Sequence, residues 1–244
     1  MKAMVFAAGL GTRLKPLTDT MPKALVPLCG KPLLYHVLHK LAASGYDEFI
    51  VNVHHFPEQI RDYLSGAGLN VKISDESPEL LETGGGILHA ENLILPCREP
   101  FLVHNVDIVS KLGIAWLREQ TRPEALATLV VSDRPTRRYL LFNDDMRLVG
   151  WTDTSTGEVR SPFQGLDASK CRKLAFAGIH NLSPRIFEVM RQSGFTGRFP
   201  IMDFYLDVCA AYPIYGALAE NLQLVDAGKL ESLALAEEII KNYL

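Results

Sequence analysis

Two glycines, an arginine and a lysine near the amino terminus have the plainest capacity for chemistry in this chain of 244 residues. They fall in the run Met4 to Pro32, where a short apolar stretch breaks into Gly9-Leu10-Gly11-Thr12-Arg13 and Lys23 follows ten residues behind the arginine. Glycine tolerates positive φ and bares backbone N–H groups, and the two cations can neutralise phosphate oxygens. The combination predicts a cradle for a triphosphate. Two common phosphate loops do not fit. A dinucleotide fingerprint needs a third glycine where this chain has Leu14, and a Walker loop needs Gly-Lys-Ser/Thr.

Other candidates lie further along. Glu82-Thr83-Gly84-Gly85-Gly86 opens a helix, and three glycines there are costly to order, which points to close backbone approach to a ligand rather than a plain turn. Asp107 ends the expected buried strand Phe101 to Val106 and, taken alone, reads as a carboxylate capping the next loop. Asp226, taken alone, reads as an acidic charge at the start of the last helix. Asn181 is equally a turn residue or a hydroxyl partner. Arg137 and Arg138 could reach a sugar phosphate, but an arginine pair reads first as solvated surface. His36 with His39, and His54 with His55, lack a third ligand in sequence and read as structural.

These residues need a scaffold, and the hydrophobic pattern supplies one. Strands are expected at Met4–Ala8, Glu48–His54, Asn70–Ser74, Phe101–Val106 and Ala127–Val131. Between them, helices are expected at Pro32–Ala42, with Leu34, Val37, Leu38 and Leu41 on one face, and at Pro57–Leu64, Gly86–Asn92 and Leu112–Gln120. Such alternation predicts an α/β fold: a Rossmann-like, three-layer α/β/α arrangement around a mostly parallel sheet, with ligands at the carboxyl ends of the strands. From Arg138 the texture changes. Tyr139–Phe142 and Leu148–Trp151 flank a hairpin-like turn, Thr152–Ser169 is polar and irregular, and Leu174–His180 is a strand, which together predict a small antiparallel insertion able to lid the cleft. A helix at Pro184–Gln192 capped by Ser183, a helix at Met202–Ala211, strands at Tyr215–Leu218 and Leu222–Val225, and an amphipathic helix at Leu230–Tyr243 complete the chain.

Composition bounds the class. Hydrophobic residues at 48% and charged residues at 22% match a soluble globular protein, and a net charge of -3 argues against a surface built for nucleic acid. Cys29, Cys97, Cys171 and Cys209 are widely separated, with no zinc spacing, so a reduced, cytoplasmic setting is expected. The short apolar run before the glycine loop suits neither a signal peptide nor a membrane span.

The string Ala7-Ala8-Gly9-Leu10-Gly11-Thr12-Arg13, followed by Pro16-Leu17-Thr18, Pro22-Lys23, Leu25, Pro27 and Gly30-Lys31-Pro32, resembles the signature of the sugar-1-phosphate nucleotidyltransferases. The resemblance implies the nucleotide-diphospho-sugar transferase fold in a single domain over residues 1–244, with 1–135 as nucleotide-binding core, 136–228 as sugar-binding part and 229–244 as terminal helix. It implies that backbone amides from Ala8 through Gly9 and Gly11 to Thr12 hold the nucleotide. By the same resemblance Arg13 grips the β and γ phosphates, and Lys23 touches the α-phosphate and the sugar phosphate. Asp107 and Asp226 become ligands of Mg²⁺, although Leu224 stands where the family has tryptophan and Val106 where small residues are common. Glu82, Thr83, Gly84 and Gly85 meet base and ribose, while Asn105, Gly178 and Asn181 serve the substrate.

The implied activity joins a nucleoside triphosphate to a sugar 1-phosphate, giving a nucleotide sugar and pyrophosphate. The short muramic acid phosphate uridylyltransferases are similar over nearly the whole chain and favour UTP. Mannose phosphate guanylyltransferases share the glycine-rich loop and leave GTP open, with choline phosphate cytidylyltransferases more distant. A catalytically silent nucleotide- or sugar-binding paralogue is a further reading, and an oxidoreductase is disfavoured by the missing glycine. A monomer or small homo-oligomer without membrane or nucleic-acid partners is expected.

Overall fold

The computed structural model describes residues 1–242, so Tyr243, the expected end of the last helix, lies outside them. β1 (Lys2–Phe6) sends Ala3 and Val5 into one apolar cluster and Met4 into another on the opposite face. A strand buried on both faces needs cover on both, and helices provide it. A small ribbon of β2 (Pro27–Leu28) and β3 (Lys31–Pro32) leads into α1 (Leu33–Ala43), which buries Leu34, Val37, Leu38 and Leu41 as their spacing predicts. β4 (Glu48–Val53), α2 (Pro57–Ser65) and β5 (Val71–Asp75) extend the sheet in parallel from one edge of β1. After α3 (Glu82–His89) and α4 (Glu91–Ile94), β6 (Phe101–Asn105) pairs in parallel with its other edge.

Beyond β6 the sheet turns largely antiparallel. β7 (Ile108–Ser110) leaves it, and α5 (Ile114–Glu119) leads to β8 (Ala127–Ser132). β9 (Arg138–Phe142), β10 (Leu148–Asp153) and β11 (Glu158–Arg160) form a meander joined to the first residues of β12 (Arg172–Leu182). The remainder of β12 lies antiparallel between β6 and β8. α6 (Ile186–Gln192) and α7 (Ile201–Val208) follow, then β13 (Ile214–Leu218), which is parallel to β8. β14 (Leu224–Asp226) pairs with β7 as a ribbon of its own before α8 (Leu233–Lys241). Helices α1, α2, α5 and α8 pack on one face of the sheet and α3, α4, α6 and α7 on the other. The three-layer α/β/α architecture with an antiparallel insertion is the expected one. No helix among the described residues is long and apolar enough to cross a membrane.

Three departures from the expected elements have physical causes. β1 ends at Phe6 rather than Ala8, because the Ala7 and Ala8 N–H groups turn to the Asn52 side chain. α3 begins at Glu82 and takes the three glycines inside it, where tertiary packing requires them. The polar 152–169 segment, expected as irregular, contributes β11, held by Thr152 Oγ1 donating to the Glu158 carbonyl at 2.9 Å.

Candidate active site

The carboxyl ends of β1, β4 and β6 open into a cleft of about 320 Å³. Gly9 lies on its rim with nothing within 4 Å of where a Cβ would stand, which leaves room for a ligand against the backbone. Gly11 has φ of 65° at the start of a 3-10 turn over Thr12–Leu14, and a Cβ there would fall 2.7 Å from Thr18 Cγ2 and 2.9 Å from Lys23 Cβ. Thr18 Oγ1 donates to the Gly11 carbonyl at 2.8 Å and pins that turn. Arg13 therefore projects from a turn that glycine alone accommodates, with its side chain 53% exposed.

Lys23 and Asp107 meet as an ion pair on the cleft floor, both side chains largely buried. Asp107 sits in the two-residue turn between β6 and β7, and its carbonyl accepts from Ala227 N at 2.8 Å. Because Asp226 lies opposite Ile108 in the β7–β14 ribbon, two carboxylates more than a hundred residues apart in sequence share one end of it. A Cβ on Gly228 would sit 2.7 Å from Asp107 Oδ2, 2.7 Å from Asp226 Oδ1 and 2.9 Å from Lys23 Nζ. Three charged groups thus converge over one bare α-carbon.

Burial pushes the Asp107 carboxyl up; the Lys23 ammonium opposes this, and the neighbouring Asp226 adds to it. Burial also works upward on Asp226, but the Gly228 N–H at 2.8 Å and the Arg13 guanidinium outweigh it and hold that carboxyl below the usual range. The Asp226 charge adds to the rise of the Asp107 carboxyl, and a cation placed between the two would relieve that repulsion. Among the described residues no cluster of three or more His, Cys, Asp or Glu forms a closed metal cage. An open pair of oxygen donors fits a hard divalent ion that takes its other ligands from phosphate and water. Leu224, in the tryptophan position, packs partly buried against the core under the ribbon.

The other wall of the cleft is built from Leu80, Glu82 and Thr83. Glu82 has φ of 61°, a left-handed conformation uncommon for a residue with a side chain, and Arg198 holds it by an ion pair of 2.9 Å. Thr83 Oγ1 accepts from Ile201 N at 2.9 Å and ties α3 to α7. Gly84 and Gly85 do not face the cleft as ligand-approach glycines. Both N–H groups donate to the Phe199 carbonyl, at 2.9 and 3.1 Å. Cβ atoms there would lie 2.3 Å from Phe199 Cε2 and 2.2 Å from the Gly197 carbonyl oxygen, so helix packing is what requires these glycines.

On the remaining side Asn105 lines the cleft beside Gly178. Gly178 has φ of 73° in the irregular stretch of β12 between Phe176 and His180, and a Cβ there would be 2.8 Å from Asn105 Nδ2. Asn181 is not brought to the cleft. It is buried opposite Leu102 and Thr128, toward the start of β6, and its amide donates to Thr121 Oγ1 at 3.0 Å. Ala8 is present, but its N–H lies 3.3 Å from Asn52 Oδ1 and is committed to the protein. Arg137 and Arg138 are exposed, and Arg138 faces Asp153 at 3.5 Å. His36 and His54 bond backbone carbonyls, of Leu28 and Glu76, both by single ring nitrogens at 2.8 and 2.7 Å.

Two buried residues on the cleft floor, Asn52 and Glu76, fall outside every motif that the sequence displays. A signal existed: Asn52 is the one polar residue within the apolar run Phe49-Ile50-Val51-Asn52-Val53. A larger concavity of about 520 Å³ lies beside Trp116 and the 218–223 segment, and neither the glycine loop nor Asp107 or Asp226 lines it.

Paired cations and carboxylates across an open cleft suit reactions in which the substrates bring both nucleophile and leaving group, as phosphoryl and nucleotidyl transfers do. The chain belongs to the nucleotidyl transferase family, whose sequence profile matches residues 2–141, and it is an enzyme of the sugar-1-phosphate nucleotidyltransferase class. It is 33% identical over 231 residues to an N-acetylmuramate alpha-1-phosphate uridylyltransferase of Caulobacter vibrioides, covering 90% of this chain and 89% of that one. A Neisseria meningitidis protein of the same name is 44% identical over 192 residues, 72% of this chain and 82% of its own. A UDP-glucose pyrophosphorylase solved with UDP-glucose superposes with a TM-score of 0.77 at 17% identity, over 100% of this chain and 99% of the other, and shares the fold.

Proposed function

We propose that this enzyme transfers a uridylyl group from UTP to N-acetylmuramic acid 1-phosphate or a similarly substituted hexose 1-phosphate, with Mg²⁺ as its cation. The observation that carries the choice of base and sugar is similarity over most of the chain to uridylyltransferases acting on N-acetylmuramate α-1-phosphate. Residues 1–135 hold the nucleotide and 136–228 the sugar, except that Asn105 reaches the sugar from the first part and Asp226 completes the metal pair with Asp107 from the second. Four free cysteines favour a reducing, cytoplasmic setting.

An oxygen of the sugar phosphate attacks the α-phosphorus while the bond from that phosphorus to the bridging oxygen breaks and pyrophosphate leaves. A phosphate monoester is already anionic, so no side chain need abstract a proton. The barrier is repulsion between two polyanions and charge growth on the leaving group, which positioning and cations relieve. Lys23 fixes one positive charge on the cleft floor. Arg13, on its exposed turn, exchanges Asp226 for the outer phosphates of the triphosphate. Asn105 and the bare backbone at Gly178 receive the sugar. Asp107 and Asp226 hold the divalent ion, which when bound neutralises phosphate charge.

Pyrophosphate release measured with UTP, GTP, CTP and dTTP against the 1-phosphates of N-acetylmuramic acid, N-acetylglucosamine, mannose and glucose tests the reading. UTP with N-acetylmuramic acid 1-phosphate is expected to be fastest. Preference for GTP with mannose 1-phosphate would overturn it.

A further inference from the structure

Asn52 and Glu76 are each 2% exposed, yet both line the cleft. A carboxylate so far from water is costly unless its lone pairs are met. Burial raises the Glu76 carboxyl, which the Asn52 amide and the Leu81 N–H oppose. Each oxygen is answered from a different wall. Asn52 Nδ2 donates to Oε1 at 2.7 Å, and Leu81 N donates to Oε2 at 3.1 Å. The other end of the Asn52 amide, Oδ1, accepts from Ala7 N at 2.7 Å and Ala8 N at 3.3 Å.

A continuous polar chain therefore crosses the cleft floor, from the residue before Gly9 to the residue before Glu82. Its centre is rigid, because Glu76 N donates to the Val53 carbonyl at 2.8 Å and the Glu76 carbonyl meets His54 Nδ1 at 2.7 Å. Helix α3 rests directly on it: a Cβ at Gly86 would be 2.7 Å from Glu76 Oε1 and 3.3 Å from Asn52 Nδ2.

We propose that Asn52 and Glu76 form the positioning pair for the nucleotide half of the reaction, fixing the span between the glycine loop and the Glu82–Thr83 wall. The proposal rests on the family reaction and not on which base or sugar is used. The pair touches no reacting atom. It sets the distance at which two walls grip one triphosphate, while the sugar side, at Asn105 and Gly178, hangs from other strands.

The hydrogen-bond polarity makes the idea testable. Glu76 must accept at both oxygens, so Glu76→Gln turns an NH₂ group toward one of two N–H donors. Asn52→Asp removes the donor to Glu76 and sets two carboxylates together. Combining Asn52→Asp with Glu76→Gln restores every bond with the polarity reversed: the amide now at position 76 donates to the carboxylate now at position 52, and its carbonyl accepts from Leu81 N.

The wild-type chain, both single variants and the double variant are to be compared by steady-state kinetics, varying each substrate separately. The triphosphate is whichever of UTP, GTP, CTP and dTTP the wild type turns over fastest. Each single variant should raise the KM for that triphosphate about tenfold or more, the consequence of one buried unsatisfied group, with the sugar phosphate KM unchanged. The double variant should bring the triphosphate KM most of the way back. Equal rises in both KM values, an unchanged triphosphate KM, or no recovery in the double variant would overturn the proposal. Should one single variant fail to fold, the other single and the double variant decide it by the same comparison.

Discussion

Lys23 pairs with Asp107 inside the cleft, and both side chains are mostly withdrawn from solvent, at 14% and 11% exposure. Arg13 stands 3.3 Å from Asp226 in a second, more open pair. Each cation proposed for a phosphate is thus answered, in the ligand-free chain, by a carboxylate proposed for a metal. Under the proposed function, loading the site would exchange partners, the cations passing to phosphate oxygens and the carboxylates to the divalent ion. The Lys23–Asp107 pairing leaves neither of these two buried charges uncompensated.

Asp107→Asn keeps the shape of the side chain and removes the charge. Turnover should fall on the order of a thousandfold if Asp107 is the metal ligand proposed. Pyrophosphate release and Mn²⁺ binding followed by electron paramagnetic resonance check it, with circular dichroism confirming the fold. Unchanged turnover would take Asp107 out of the metal site.

Lys23→Ala removes the fixed positive charge of the cleft floor. We expect a loss of roughly 2–4 kcal/mol of transition-state stabilisation, the scale of one preorganised electrostatic group. It should appear in kcat. A weakened substrate affinity with turnover preserved would contradict the assignment.

Gly85→Ala drives a methyl group to within 2.2 Å of the Gly197 carbonyl oxygen. Overpacking of this kind costs about 1–3 kcal/mol. Urea unfolding without any ligand should show the loss. If the glycine served only ligand approach, ligand-free stability would stay where it is.

His104 and His180 are fully buried, and burial lowers both imidazoles to about 3 from an ordinary 6.5. The unfolded chain then takes up protons before the folded one does. Their contribution is complete above pH 6.5 and is lost as pH falls toward 3. The slope is roughly 1.4 kcal/mol per pH unit for each histidine. Unfolding free energy followed between these limits should fall less steeply in His104→Gln than in the wild type.

Asn181→Ala should leave both KM values and kcat unchanged, because this residue bonds Thr121 away from the cleft. The lost hydrogen bond should cost about 1 kcal/mol of stability. A specific rise in the sugar phosphate KM would return Asn181 to the substrate.

The strands of the amino-terminal half were legible as short continuous runs, because β1 and β4 are buried on both faces, and α1 by its period-3.6 stripe, because one face of it is buried. The glycine loop was legible for a different reason: Gly9, Gly11, Arg13 and Lys23 lie within one short stretch. Glu82 and Thr83 do line the cleft, but Gly84 and Gly85 turn to helix packing: a glycine that admits a ligand and one that admits Phe199 or the Gly197 carbonyl look alike in sequence. Asn181 misled for want of a strand register: its place three residues beyond Gly178 carries it away from the open cleft. Asn52 and Glu76 are separated by α2 and β5, and only the parallel pairing of β4 with β5 sets them side by side.

The β7–β14 ribbon also orders events in time. As the chain leaves the ribosome, the triphosphate loop and Asp107 emerge early, but Asp226 waits for the strand that must fold back onto Ile108. A nascent chain lacking β14 has the glycine loop and Asp107 without the second carboxylate proposed for the metal. On the proposed metal assignment, a product truncated before β14 would be left idle by the order of its own assembly.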